Sequence, residues 1–149
     1  MDDRAGCALL IRLLQNIGVS GAQHGDIYGA FTVQEEVGLR GASVVSNAVV
    51  PEFALALDTT PTSDTFDVLM TGTRTLGNGP CIKIADKSLI AHPLVTQHLE
   101  KVAVEGNIPY QQEVFMGIGT DAGAIHMTNK GVTTALSPSH PATHIHLSK

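Results

Sequence analysis

Apolar and polar residues fall into blocks along this chain, and the period of the blocks changes from one to the next. From Ala5 to Asn16, the residues Ala8, Leu9, Ile11, Leu13 and Leu14 stand among Arg12 and Gln15, a helical distribution that ends near Gly18. Ile27 to Val33 (IYGAFTV) is a β-prone apolar run too short for an ordinary helix, and it predicts a strand. Gly38 to Val50 predicts a short helix closed by Pro51, and Phe53 to Leu57 (FALAL) a buried strand that stops at Asp58. Gly77-Asn78-Gly79-Pro80 is a turn, with a brief strand after it from Cys81 to Ile84. Pro93 to Glu105 carries the clearest helical pattern, with proline at its start and Gly106 past its end. Tyr110 to Phe115 and Val132 to Leu136 complete the strand candidates. Helices alternating with buried strands predict an α/β fold, with a mostly parallel central sheet covered by helices on both faces.

Length and charge narrow the picture. The 149 residues suit one domain, 1–149, and 43% hydrophobic against 15% charged residues is enough to bury a core. Nine Lys and Arg against fourteen Asp and Glu give a formal charge of −5, the wrong sign for a nucleic-acid partner. No apolar run reaches the roughly 20 residues of a membrane span, and no secretory pattern opens the chain. Cys7 and Cys81 lie far apart outside any CxxC spacing, which points to a reducing cytoplasm. Cys7 is expected on the apolar face of the first helix, in the core.

The candidate chemistry sits where strands end. IYGAFTV runs into Gln34-Glu35-Glu36, and FALAL runs into Asp58-Thr59-Thr60. In open α/β sheets such positions collect at one rim. With Asp2-Asp3 and the terminal His144 and His146, they offer carboxylate and imidazole donors for zinc, cobalt or manganese. Of two adjacent glutamates, one can bind metal while the other moves a proton. Each piece alone has a plainer reading. A Glu-Glu pair after a strand is more often a solvated turn, and an Asp there a turn former or helix cap. Asp121 in Gly119-Thr120-Asp121-Ala122 is itself a candidate cap for a short helix, while His24, His92, His98 and His126 read as surface or satisfied histidines. Both ends of the chain carry reactive residues, although termini fray, which predicts a partial chain.

In combination, these segments resemble the glutamyl and tetrahedral metallo-aminopeptidases of peptidase family M forty-two, some of which carry endoglucanase labels. The resemblance rests on Asp2-Asp3-Arg4-Ala5-Gly6-Cys7, on Thr32 to Ala42 (TVQEEVGLRGA), on Ala56-Leu57-Asp58, on Leu76 to Pro80, on Gly119 to Ala122 and on Ile145-His146. It implies a zinc-aminopeptidase-like α/β domain and two divalent metal ions, zinc or cobalt foremost, with manganese also open. Asp2 would bridge the ions, Glu36 and His146 (or the neighbouring His144) would complete one site, and Asp58 would serve the other. Glu35 would be the general base and Asp121 would shape the substrate pocket. The substrate would be a peptide with a free N-terminus, and the complete protein a homo-oligomer. The family's His-x-Asp ligand segment and its β-rich assembly domain have no counterpart in these 149 residues. That leaves a single ion, held by Asp2, Glu36 and His146, with weak or no turnover, as the expectation for this chain alone. No basic residue stands beside the Gly119 to Asp121 turn in sequence to select an acidic side chain.

Two other classes fit the sequence less well. A non-catalytic remnant would act through association with another chain and bind no stoichiometric metal. A glycoside hydrolase could use paired carboxylates but gives His146 no task.

Overall fold

The structure, a computed structural model, describes residues 2–64 and 72–138. Its first element, α1 (Arg4–Ser20), begins where the Asp3 carboxylate accepts the Gly6 backbone N–H at 2.9 Å, and ends on Gly21 in the left-handed region at φ 66°. Leu9, Leu10, Leu14 and Ile17 turn inward at helical spacing, and Gly6 is buried among them. Cys7 falls off that stripe and is exposed, which corrects its expected place in the core.

The helix α2 (Arg40–Val49) follows a loop, and the strand β1 (Phe53–Asp58) follows α2. Next come β2 (Cys81–Asp86), α3 (Pro93–Glu105), β3 (Gln111–Phe115), α4 (Asp121–His126) and β4 (Thr133–Pro138). α3 takes the predicted bounds because its signals are local. Pro93 occupies the first turn, and His92 before it accepts the Leu94 N–H.

Among the described residues both strand ladders are parallel, as alternating helices and strands require. β1 pairs with β4 from Phe53 opposite Thr133 to Asp58 opposite Pro138. β2 pairs with β3, with a register shift between Lys83 and Ala85. The two pairs meet where β2 packs beside β4, and the His92 N–H donates to Thr134 O at 3.2 Å across that join. α1 and α4 pack on β1, α3 on β2 and β4, and α2 against α4. Leu89, Ala91, Ala122 and Leu136 form the innermost apolar cluster, with Ala56 against it.

One expected strand does not form. Residues 27–33 lie outside regular secondary structure, with Ile27, Tyr28, Phe31 and Val33 exposed. A strand exists through the ladder of its neighbour, and among the described residues none runs alongside this segment. Its β-prone composition is therefore necessary and insufficient.

Because the four described strands pair in parallel, their carboxyl ends open on one side of the fold. Asp58 closes β1, Asp86 closes β2 and Phe115 closes β3, so the segments after them are neighbours.

Candidate active site

The Glu35-Glu36 segment is held by its own backbone. The Gly38 and Leu39 N–H groups donate to Glu35 O at 3.1 and 2.9 Å, and the Arg40 N–H to Gln34 O at 3.3 Å. The Gly41 N–H donates to Val33 O at 3.0 Å. A side chain at position 41 would put its Cβ 2.5 Å from Val33 O, so only glycine lets α2 start this close to the loop. On either side of the glutamates, Gln34 (φ 60°) and Leu39 (φ 56°) occupy the left-handed region, where non-glycine residues cost roughly 1 kcal/mol or more. The surrounding contacts hold this strained loop and aim Glu35 inward, half-buried.

Three aspartates meet the glutamates there. One oxygen each of Asp2, Asp3 and Asp58 lies within 4.8 Å of the others. Asp58 accepts the Thr59 N–H at 2.7 Å, and the Thr59 hydroxyl donates to Asp2 at 2.9 Å. Asp2, Glu35, Glu36 and Asp58 line a cleft of about 350 Å³ together with Leu39, Thr59, Lys87, Gly117, Ile118 and Gly119. Asp3 divides its carboxylate between capping α1 and facing this cluster.

Crowding like charges shifts their titration. Burial, then the charges of Asp58, Asp121, Glu36 and Asp2, push the Glu35 carboxyl up to about 7. Burial pushes Asp58 up to about 6, with Asp3 and Asp2 adding to the effect and the Thr59 N–H and Lys83 opposing it. Burial also raises Asp3. Carboxylate oxygens at this spacing form a donor set that fits a hard or borderline divalent ion.

Of the sequence-derived site residues, Asp2, Glu35, Glu36 and Asp58 therefore converge, although Asp2 and Asp58 are 56 positions apart. Asp121 opens α4 and does not line the cleft. Its Oδ2 accepts the Thr32 hydroxyl at 2.5 Å, and its Oδ1 is buried without a hydrogen-bond partner among the described residues. His144 and His146 lie outside the described residues.

Two residues that sequence reasoning missed stand out. Lys87 lines the cleft beside the loop that leads into the Gly119 to Asp121 turn, its backbone N–H donating to Ile118 O at 3.0 Å. Asp86 is buried, and its carboxylate accepts from the Ser88 and Leu89 N–H groups, the Ser88 hydroxyl and the Thr120 hydroxyl. Only the parallel pairing of β2 with β3 brings these residues, some thirty positions apart, to one rim. The Asp86-Lys87-Ser88 triplet alone reads as an ordinary turn.

Across residues 1–149 the sequence matches the peptidase family described as M42 glutamyl aminopeptidase. The chain belongs to this family. The M42 chain is 37% identical over 131 residues to the glutamyl aminopeptidase of Lactococcus lactis subsp. cremoris, covering 88% of itself and 36% of that protein. It is 34% identical over 147 residues to the lysyl aminopeptidase of Pyrococcus furiosus, covering 98% of itself and 40% of that protein. Its fold superposes on the TET aminopeptidase of the marine sediment archaeon Thaumarchaeota archaeon SCGC AB-539-E09 with a TM-score of 0.85 at 33% identity, covering 93% of this chain and 40% of that one. The M42 chain thus spans less than half the length of the relatives it matches. The α/β fold with parallel strands is that of the TET aminopeptidases. Among the described residues no helix is long and apolar enough to cross a membrane.

Proposed function

We propose that this chain carries the larger part of the active site of a metal-dependent aminopeptidase, which removes N-terminal residues from peptides. One observation supports it above the others: Asp2, Glu35, Glu36 and Asp58, from three separate segments, face a single cleft. Asp2 and Asp58 would hold one divalent ion, and Glu36 would serve a second together with His146, which lies outside the described residues. Zinc or cobalt suits this mix of oxygen and imidazole donors, with manganese a weaker fit. Bound ions of this kind polarise the scissile carbonyl and lower the pKa of water.

The chain's own residues do the rest. Glu35, held by the Gln34 to Arg40 turn and only half-buried, accepts a proton from the attacking water and returns it to the leaving amine. Thr59 orients Asp2, leaving the second Asp2 oxygen for the ion. Asp121 shapes the pocket indirectly, by fixing Thr32 and with it the strained loop. Exposed Phe31, Val33 and Val37 support association with further copies in the complete protein. The free thiols of Cys7 and Cys81 fit a cytoplasmic setting.

The test is metal content followed by turnover. The 149-residue chain is expected to take up about one cobalt or zinc ion per molecule, and Glu36→Gln to weaken uptake tenfold or more. Any cleavage of aminoacyl-anilides is expected to be weak and to vanish in Glu35→Gln while metal uptake persists. Absence of stoichiometric metal, or turnover indifferent to Glu35→Gln, overturns this reading.

A further inference from the structure

Two of the loops that line the cleft lie outside helix and strand. Residues 116–120, between β3 and α4, supply Gly117, Ile118 and Gly119, and residues 32–39 supply Glu35, Glu36 and Leu39. A loop with glycine at two of five positions does not hold its own shape, so its backbone groups need partners from elsewhere. Asp86, at the end of β2, organises them. It is 2% exposed, and none of the ion pairs among the described residues involves it. Its Oδ1 accepts the Ser88 N–H at 2.7 Å, the Leu89 N–H at 2.8 Å and the Ser88 hydroxyl at 2.9 Å, which holds the turn after β2. Its Oδ2 accepts the Thr120 hydroxyl at 2.9 Å, while the Thr120 N–H donates to Ser88 Oγ at 3.2 Å. A Cβ at Gly123 would lie 2.8 Å from Ser88 O, so α4 is seated directly on that turn. Three donors on one oxygen are enough to hold the turn, and asparagine would present that oxygen without burying a charge. The carboxylate adds a second acceptor, and that acceptor meets Thr120.

The residue after Thr120 extends this support to the glutamates. Asp121 Oδ2 accepts the hydroxyl of Thr32, 89 positions away, at 2.5 Å. Val33 follows Thr32, and its carbonyl accepts the Gly41 N–H, so the Glu35-Glu36 turn is closed immediately beyond this anchor. Gln34 and Leu39, at either side of the glutamates, keep left-handed conformations that persist only where neighbouring contacts enforce them. Asp121 Oδ1 is buried without a hydrogen-bond partner among the described residues. Asp121 is thus held on Thr32 although one of its oxygens goes unsatisfied, a cost that stability alone gives no reason to retain.

We propose that Asp86 and Thr120 are positioning residues of the active site, which set the Glu35-Glu36 turn in place through Asp121 and Thr32. Neither Asp86 nor Thr120 lines the cleft itself. This inference rests on the aminopeptidase reading for the task of the turn, while the linkage can be measured without it.

The test uses the 149-residue chain with Thr120→Val, which keeps the side-chain shape and removes the hydroxyl, Thr32→Val, the two combined, and Thr120→Ser, which keeps the hydroxyl. Amide hydrogen exchange is read without metal. Exchange at Gly38, Leu39, Arg40 and Gly41 is expected to quicken about tenfold in each valine variant and no further in the double variant. Thr120→Ser is expected to stay near wild type, and the α3 amides within about twofold of it throughout. Asp86→Asn, which keeps the Oδ1 contacts and turns its amide toward Thr120, is expected to quicken the same four amides about threefold. It keeps the question decidable if Thr120→Val fails to fold. Cobalt uptake is expected to weaken about threefold in the valine variants, through the loosened Glu36, and to recover in Thr120→Ser. Unchanged exchange at the four amides in folded Thr120→Val or Asp86→Asn, or valine effects that multiply in the double variant, overturns the linkage. The expected exchange pattern in a chain that takes up no cobalt upholds the linkage and overturns the aminopeptidase reading.

Discussion

Two charged regions of this molecule lie close together and handle charge in opposite ways. In the first, Lys83 on β2 and Glu113 on β3 are register partners, and Arg74 joins them from the loop before β2. Glu113 meets Arg74 at 3.1 Å and Lys83 at 3.4 Å, and accepts the Thr60 hydroxyl at 2.6 Å. Arg74 also donates to Pro61 O and stacks over the Phe115 ring. All three charged side chains are essentially buried. In the second region, around the carboxyl ends of β1 and β2, several carboxylates share a partly open cleft and push one another's protonation upward. The first region carries its own counter-charges because its task is to hold two strands and a loop in place. The second crowds like charges together, which is tolerable while it stays half-open to water.

The contrast can be broken most forcefully at Glu113. Glu113→Ala strands two buried cations and is expected to lower unfolding free energy by about 3–5 kcal/mol, read as a fall in the urea midpoint. A loss below about 1 kcal/mol would mean that water reaches the cluster and that it is not a buried knot.

At the cleft the sign reverses. In metal-free buffer at pH 7, Asp58→Asn removes a crowded charge while its amide oxygen can still accept the Thr59 N–H. Discounted for solvent screening in this open site, the gain is about 1 kcal/mol, or roughly 3 °C in the thermal midpoint. Destabilisation of the metal-free variant would show that Asp58 is structural.

The smallest effect sharpens the comparison at Cys81, a buried residue on β2 beside the Glu113 knot. Burial, then the Glu113 charge, push its thiol up to about 11 from an ordinary 9.0, against the opposing pull of Arg74 and Lys83. The unfolded chain releases this proton first, so the thiol's contribution to stability is lost as pH rises from about 9 toward about 11. Thiolate absorbance of the native chain is expected to show one late titration, and iodoacetamide at pH 8 to label exposed Cys7 and spare Cys81. Equal labelling of both would place Cys81 at the surface.

Features carried by neighbouring residues were legible in the sequence. Pro93 and Gly106 bracket α3 at its observed start and end, and the four strands found lie within a residue or two of their apolar runs. The acids that follow the β1 run and the Thr32 to Ala42 segment also pointed to the cleft, because strand ends gather reactive groups. The strand expected at Ile27 to Val33 failed because apolar alternation cannot supply a ladder partner. Cys7 was misplaced because a helix with apolar residues on more than one side does not declare which side is covered.

The sequence by itself determined which segments are helical or extended and which acids stand at their ends, since these follow from residue spacing and backbone preference over a few positions. Only the tertiary structure decided which charges meet. Strand register buried Lys83 with Glu113, and the parallel order of β2 and β3 set Lys87 against the Ile118 loop and into the acidic cleft. Electrostatic partnership depends on distances of a few ångströms between residues about thirty positions apart, and no local pattern encodes that.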